Sequence, residues 1–518
     1  MHAGAAAQAG YVAALAPGDD LDLRGVTIGQ DRLDPILARV TDSATGRPRI
    51  GTARFDEATF VGDIWFRSAE FTGDALFGSA EFTGDALFDW AEFARSAEFR
   101  SAVFTGHALF RSATFAEDAR FSSAVFSRHA LFTAAAFGKD AWFDSASFER
   151  ASVFGPLVCA GKLDLSAASF GTPVTMEIAA RRLVCRRTRW AETATVWLRY
   201  AEADLSDAVF DHPLAVAGRQ RRLVTGSGTL VDESLMTAAG LPAQARMMSL
   251  RGVDAAHLVL TDLDLSRCLF TGTIHLDQLR LEGRCPFCPT PAGLHWRGWR
   301  PVRNTYRNTL AEEQHWRRTR PRPVPGWLLA PPGADIADPA GLATVYRALR
   351  KSYEDSRNEP GAADFYYGEM EMRRADAGTD WAERGLLNAY WAVSGYGLRA
   401  TRALSWLLGA VAVTMLVMML WGLPKGDTPS RSTGTLTGRH ITLTTDNPNP
   451  VNPTGPVGDR LTSQRFEKSL RVVVNSVIFR SSGQDLTTAG TYTEMASRLT
   501  EPVLLGLAAF AVRGRIKR

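Results

Sequence analysis

The chain has 518 residues, 45% of them hydrophobic, which excludes both a small single domain and a mostly disordered protein. Its 59 Lys and Arg nearly balance its 55 Asp and Glu, so the net charge of +4 does not indicate a nucleic-acid partner. Five scattered cysteines exclude a disulfide framework and favour a reducing compartment.

The first 50 residues lack a basic segment followed by a long apolar core, so they do not predict a secretory signal. We interpret residues 1–50 as an N-terminal segment that caps the domain following it. The bulk of the chain is therefore expected to stay in the cytoplasm.

A phenylalanine repeat follows. From Phe55 to Phe154, Phe recurs at alternating intervals of five and six residues, so the repeating unit has eleven residues. In an α-helix, two Phe five positions apart would point about 140° away from each other. Nearly every Phe has an Ala two positions earlier, and residues i and i−2 of a strand share one face. The pattern predicts short strands that bury one Phe and one Ala, turn, and stack as the coils of a solenoid.

The repeat units resemble the pentapeptide repeats, whose consensus A-D/N-L-x-x places Ala two positions before a central Leu or Phe. Three units illustrate the match: Ala80-Glu81-Phe82, Ala113-Thr114-Phe115 and Ala203-Asp204-Leu205. The resemblance covers roughly residues 51–154 and returns at 203–210 and 253–279, with an irregular stretch expected around 171–200. It implies a right-handed quadrilateral β-helix over residues 51–280, here with a coil of 22 residues in place of 20.

One outward column of this solenoid is uniformly apolar. The residue before each Phe points outward, and residues one coil apart stack on the same side. The resulting column, called the apolar column below, consists of Trp65, Leu87, Leu109, Leu131 and Val153. The other three outward columns are mixed in character. Contiguous exposed apolar surface usually marks an interface, so the column is the candidate interaction face, either for a partner or for another part of this chain.

Residues 281–340 predict a basic linker rich in Trp and Pro. Its Arg and Trp residues could also bind nucleic acid or an anionic membrane surface, and we favour the membrane or an acidic partner over nucleic acid. Cys285 and Cys288, followed by His295, form half of a zinc-site pattern, and free thiols are the alternative reading. We expect no metal site and no cofactor.

Two further segments precede the membrane region. Residues 341–376 show helical spacing of apolar residues interrupted by Pro360-Gly361, which predicts a helical hairpin. This stretch is similar to one found in membrane-attached bacterial pentapeptide-repeat proteins. Residues 377–402 predict a juxtamembrane segment with aromatic residues at headgroup depth.

Two membrane spans are predicted. Residues 403–423 are uncharged and long enough to cross a bilayer as a helix, and residues 499–512 form a shorter second candidate. Basic residues precede the first span and form the tail, 513–518. This distribution predicts a multi-pass protein of the cell membrane with its large N-terminal region and its tail in the cytoplasm. Residues 424–465 would be a polar loop on the other side.

Residues 466–498 resemble the pore region of a two-span potassium channel, in a degraded form. A helical segment is followed by Thr487, Thr488, Ala489 and Gly490, which match a channel filter loosely. Thr491 and Tyr492 stand where the filter pattern has Tyr and Gly, so the second filter glycine is missing.

No catalytic motif is present in the sequence, so we expect no enzyme activity. Three functions remain. The first is a membrane-anchored scaffold that binds an unknown protein partner, or further copies of itself, at the cytoplasmic membrane face. The second is an ion-channel-like pore regulated or assembled by the solenoid. The third, a DNA mimic that binds topoisomerases, follows from the family resemblance, and a nucleic-acid partner is not expected.

Overall fold

The computed structural model describes residues 11–297, 300–321, 323–424, 431–437, 440–446, 450–479 and 486–516. The chain divides into two compact units, Met1–Met372 and Arg373–Arg518. The first unit contains a β-solenoid of about 11 turns, and the second is mainly helical.

The solenoid forms because each coil buries one row of Phe and Ala residues. Every Phe from Phe55 to Phe154 is buried, as are the Ala residues two positions before them. Most rings stack on the ring one coil away; the centroids of Phe82 and Phe104, for example, lie 4.8 Å apart with nearly parallel planes. Parallel strands join residues 22 positions apart, such as Phe82 with Phe104. The inward assignment made from the Phe spacing is therefore confirmed.

The short strands fall into four stacks. The first contains Arg49–Ile50, Glu70–Phe71, Glu92–Phe93, Thr114–Phe115 and Ala136–Phe137. The second contains Leu21–Asp22, Ala53–Arg54, Ala75–Leu76, Ala97–Glu98, Ala119–Arg120 and Ala141–Trp142. The third contains Thr27–Gly29, Thr59–Val61, Glu81–Phe82, Val103–Phe104, Val125–Phe126, Ser147–Phe148, Ser169–Phe170, Arg189–Trp190 and Val209–Phe210. The fourth contains Ile64–Trp65, Ala86–Leu87, Ala108–Leu109 and Ala130–Leu131.

Longer strands bend around the later coils. They are Val153–Asp164, Val174–Val184, Ala194–Arg199, Glu202–Asp204, Leu214–Gly218, Arg246–Ser249, Leu258–Thr261 and Arg280–Glu282. Here the pairing offset falls to 20 residues, as between Ser169 and Arg189. The stretch 171–200, expected to be irregular, thus consists of regular coils. Its inward residues include Met176, Ile178 and Trp190, so the Phe spacing could not reveal them.

The irregular insertion lies later, between strands Leu214–Gly218 and Arg246–Ser249. Leu223 and Met236 of this segment pack against Val158 and Ala179. These two residues lie on the outer side of the long strands that continue the first stack. Glu233 accepts a hydrogen bond of 2.8 Å from Arg199 Nε, and both side chains are buried. The insertion therefore covers one side of the solenoid and leaves the fourth stack open.

Helices close both ends of the solenoid. They are α1 (Gln30–Arg39) at the N-terminal end, and α3 (Ala311–Thr319), α4 (Pro339–Asp355) and α5 (Glu359–Ala375) after the last coil, whereas the short helix α2 (Ser234–Ala238) lies in the insertion on one side. At the start, Gln30 Oε1 accepts the backbone N–H of Trp65 at 2.9 Å. At the other end, Glu312 Oε1 accepts the backbone N–H of Thr271 at 2.9 Å, and Ser352 Oγ donates to the carbonyl of Leu279. These bonds satisfy strand-edge groups that would otherwise remain unpaired.

Part of the expected basic linker, 281–340, is a packed element. Its strands are Cys288–Pro289, paired antiparallel with Asn308–Thr309, and Leu294–Arg297, paired antiparallel with Arg300–Arg303. Arg307 and Glu313 are both buried and form an ion pair, with Nη2 and Oε2 2.7 Å apart. Tyr346 of α4 donates its hydroxyl to the same carboxylate. A buried ion pair requires such partners, and the sequence pattern alone did not indicate them.

The second unit contains the remaining helices. They are α6 (Trp381–Ser394), α7 (Ala400–Val417) with a π-helical turn at Met418–Gly422, α8 (Ser463–Phe479) and α9 (Thr488–Ile516). The expected polar loop 424–465 contains an antiparallel pair of strands, Arg431–Thr437 and His440–Asp446. By length and composition, Ala400–Gly422 and Thr488–Val512 could each span a membrane.

Candidate interaction surface

The apolar column lies on the outer side of the fourth stack. Parallel pairing places Leu87 directly between Trp65 and Leu109, and Leu109 beside Leu131. Val153 follows one coil later, at the start of the strand Val153–Asp164. From Trp65 to Leu131, the Ala or Ile before each column residue and the Phe after it are buried and point inward, so the column side chains point outward.

Exposure varies along the column. Trp65 is 53% exposed and Val153 is 40% exposed, whereas Leu87 is 8% exposed. Leu109 and Leu131 are half-buried. The column is therefore a continuous, partly open apolar strip with its most exposed side chain at the N-terminal end.

One edge of the column carries acidic residues followed by histidines. The carboxylate of Asp63 accepts the backbone N–H of Asp85 at 2.9 Å, and that of Asp85 accepts the N–H of His107 at 2.8 Å. The rings of His107 and His129 stack with centroids 5.3 Å apart. The side chains along this edge therefore change from acidic to imidazole between the second and third coils.

The opposite edge is built around a buried carboxylate. Asp89 is fully buried and accepts two hydrogen bonds from the Arg111 guanidinium, at 2.7 and 3.0 Å. The hydrogen bond to Asp89 raises the pKa of Arg111. Arg67 lies farther from the same carboxylate, at 3.8 Å. The charges on this edge are thus paired within the solenoid itself.

Trp90 extends the apolar surface, and the sequence analysis did not identify it. It is 53% exposed and has a φ of 57°. The equivalent turn positions in neighbouring coils hold Ser68, Ser112 and Ala134, also with positive φ. A large side chain is uncommon in this backbone region. The sequence signal that could have identified Trp90 was its position three residues after Leu87 of the apolar column.

The filter-like residues lie at the start of a helix. Thr488, Ala489 and Gly490 lie in the first turn of α9, immediately after Thr487. The carbonyl of Thr487 accepts the N–H of Thr491, and that of Ala489 accepts the hydroxyl of Thr493. A channel filter needs carbonyl groups free to coordinate an ion, whereas these point along a helix and are already bonded.

Cys285 and Cys288 of the zinc-site pattern are partly buried free thiols. Cys285 Sγ contacts the carbonyl oxygen of Glu282 at 3.4 Å, and burial raises the pKa of both the Cys285 and Cys288 thiols. Metal ligation requires the thiolate. Within the described part of the chain, no group of three or more His, Cys, Asp or Glu side chains could hold a metal ion.

Comparison with known proteins agrees with the geometry of the solenoid. The family model described as pentapeptide repeats (9 copies) matches residues 66–114. Residues 66–114 are pentapeptide repeats. The matched pentapeptide repeats include Leu87 and Leu109 of the apolar column as well as Trp90. No curated protein and no solved structure matches the chain.

Proposed function

We propose that this protein is a membrane-anchored pentapeptide-repeat scaffold that mediates protein–protein interaction at the cytoplasmic face of the membrane. It performs no catalysis and uses no cofactor. The observation that carries the proposal is the apolar column, a partly exposed apolar strip on a rigid solenoid. In this proposal the solenoid is a right-handed, four-sided β-helix, and α4 and α5 form a helical hairpin at its C-terminal end.

The strip has the dimensions of a contact surface. Its five residues are separated by four coil spacings of about 4.8 Å each, which gives a length of roughly 19 Å. The strands beneath it are held by backbone hydrogen bonds and by stacked rings, so little conformational entropy is lost when a partner binds. Trp65 and Trp90 supply the large aromatic side chains that dominate many interface energies.

Two apolar helices support the anchoring role. Ala400–Gly422 has 23 residues and Thr488–Val512 has 25, and about 20 are needed to cross a bilayer core. Glu501 lies within the second helix, buried, where the Thr414 hydroxyl donates to it at 2.9 Å. Polar residues inside spans usually pair with the neighbouring helix in this way.

The test combines fractionation with substitution. The full chain is expected in the membrane fraction, resistant to high salt and alkaline washing. In Leu109→Glu/Leu131→Glu, two charges enter the strip at outward positions, so the solenoid should keep its strand content but lose the adducts formed by crosslinking in membranes.

Val103→Glu/Val125→Glu is the matched control. These residues also lie one coil apart and half-buried, at outward positions of the third stack. The control should keep its crosslinked adducts. Equal loss in both variants would contradict the assignment of the interaction to the apolar column.

A further inference from the structure

We infer that the partner of the apolar column is a second copy of this chain, packed face to face with its coils running in the opposite direction. The two-fold axis would pass through Leu109, the middle of the column. The inference rests on the proposed function, because it takes the column to be a contact surface. It adds the identity and orientation of the partner.

Side-chain size favours this antiparallel arrangement. The axis through Leu109 places Trp65 of one copy opposite Val153 of the other, and Leu87 opposite Leu131. The column is thus large at one end and small at the other, so in a two-fold contact each large side chain meets a small one of the other copy. Trp90 would meet Ala134, again a large residue against a small one. A parallel arrangement would instead bring the two exposed Trp65 side chains together and hold the surfaces apart.

Charge favours the same orientation. In the antiparallel arrangement each edge of the column meets the same edge of the other copy, reversed in direction. Asp85 of one copy then faces His129 of the other, and the symmetry makes this contact twice. A parallel arrangement would place Asp85 opposite Asp89, whose buried carboxylate is already paired with Arg111 of its own copy, so Asp85 would gain no partner there. In the antiparallel arrangement the two Arg111 side chains meet at the axis, each neutralised by Asp89 of its own copy. A contact between opposite charges favours the orientation that forms it.

The surface is small for a dimer in dilute solution. A stable interface usually buries about 800 Å² on each partner. A strip only roughly 19 Å long is too short to bury that much surface. Two copies anchored in one bilayer, however, meet at a high effective concentration, which strengthens a weak contact without new interactions. Self-association should therefore be strong in membranes and weak at low concentration in detergent.

Cysteine crosslinking distinguishes the orientations. One full-length chain carries Leu87→Cys and a second, differently tagged chain carries Leu131→Cys; both are reconstituted together in lipid vesicles and oxidised. The antiparallel dimer predicts a disulfide between the two different chains and little between identical ones. The wild-type chain controls for the native cysteines. Glu81→Cys with Val125→Cys, two coils apart on the third stack, should give no crosslink.

A charge variant provides an independent measurement. His129→Asp brings a second carboxylate opposite Asp85 of the other copy, so the dissociation constant in vesicles, measured by energy transfer between labelled chains, should rise at least about tenfold. Asp85→Asn added to His129→Asp should restore most of the affinity. The amide oxygen of the substituted side chain can still accept the His107 N–H, and the substitution removes one negative charge from each contact.

Other results overturn the inference in distinct ways. Crosslinks between identical Leu87→Cys chains would show parallel packing. Monomeric chains in vesicles, with no crosslink and no response to His129→Asp, would exclude a second copy as the partner. If Leu109→Glu/Leu131→Glu still abolished membrane adducts, the scaffold function would stand with a different partner. If this variant kept its membrane adducts, the assignment of the contact to the apolar column would be wrong.

Discussion

Phe104 illustrates what holds the solenoid together at the scale of one residue. Its ring lies between those of Phe82 and Phe126, with centroid distances of 4.8 and 5.0 Å, and the side chain is fully buried. Removing the ring leaves a cavity that cannot collapse, because backbone bonds hold the neighbouring coils in register. Phe104→Ala should therefore cost about 3–5 kcal/mol of unfolding free energy.

Denaturant unfolding of the full chain in detergent measures this loss. Val103→Ala is the control, since Val103 is the adjacent outward residue and is half-buried; its cost should stay below about 1 kcal/mol. Similar costs for both substitutions would contradict the inward placement of Phe104.

Glu313 makes the folding stability of the C-terminal end of the solenoid depend on pH. Burial alone would raise the pKa of this carboxyl, but the charges of Arg307 and Arg317 outweigh burial and lower the pKa to about 2. The unfolded-state value is near 4.5. Because the folded pKa is the lower one, the ionised carboxylate stabilises the fold at neutral pH. That stabilisation is lost as the pH falls from about 4.5 through about 2.

Glu313→Gln should remove this acid dependence and also weaken the fold at pH 7. Arg307 is buried and would lose its charged partner, a change that costs roughly 3–5 kcal/mol. Denaturant unfolding at pH 7 and pH 3 measures both effects. Glu117→Gln, which breaks the exposed pair with Lys139, should change neither by more than about 1 kcal/mol. An unchanged acid dependence in Glu313→Gln would assign it to another group.

At the scale of elements, Arg465 donates to several carbonyl groups at the end of α7. The guanidinium of Arg465 donates to the carbonyls of Met419, Leu423 and Pro424 at 2.8 to 2.9 Å. The last carbonyl groups of a helix have no partner within the helix, so Arg465 satisfies groups that would otherwise stay unpaired. This contact also fixes the position of α8 relative to the end of α7.

Arg465→Ala should destabilise the second unit by about 1–3 kcal/mol, the cost of leaving buried acceptors unpaired. Unfolding by a denaturing detergent, followed by the helical circular dichroism signal, measures the change. Arg471→Ala on the same helix breaks only an exposed pair with Glu467 and should have little effect. Equal effects of the two substitutions would mean that the carbonyl contacts do not stabilise the unit.

Periodic elements could be predicted from the sequence, whereas elements that depend on distant contacts could not. The spacing of Phe and Ala defined the inward residues and the 22-residue offset because every coil repeats the same local choice. The coils at 171–200 escaped detection because Met176, Ile178 and Trp190 replace Phe. Glu312 and Glu313 were visible only as two acids in a basic stretch, since their partners, Thr271 and Arg307, are brought close by the fold. Thr487–Gly490 resembled a channel filter in composition, but in the structure helix α9 begins at Thr488.

At the scale of the whole molecule, the two units have different roles in the proposed function. The solenoid offers a rigid outer surface whose shape is fixed by its stacked coils. The helical unit supplies two apolar helices, joined by a buried contact between Thr414 and Glu501. An anchor of this kind restricts the solenoid to the membrane surface, where a contact too weak for dilute solution becomes effective.

The proposed anchoring predicts a definite topology. Arg399 and Arg402 precede the first candidate span, and Arg513 and Arg515 follow the second. Positive residues near spans stay on the cytoplasmic side, so the solenoid and the C-terminus should be cytoplasmic and the segment between the spans should be outside.

In a bacterial host, a phosphatase reporter inserted between Gly426 and Asp427 should be active, whereas the same reporter after Arg518 should be inactive. A fluorescent protein that folds only in the cytoplasm should give the reverse pattern at the two sites. An active phosphatase at both sites would mean that only one of the two helices crosses the membrane. Replacing Arg513 and Arg515 with Glu should increase the exported fraction of the C-terminal reporter, and no response to these charges would contradict the orientation argument.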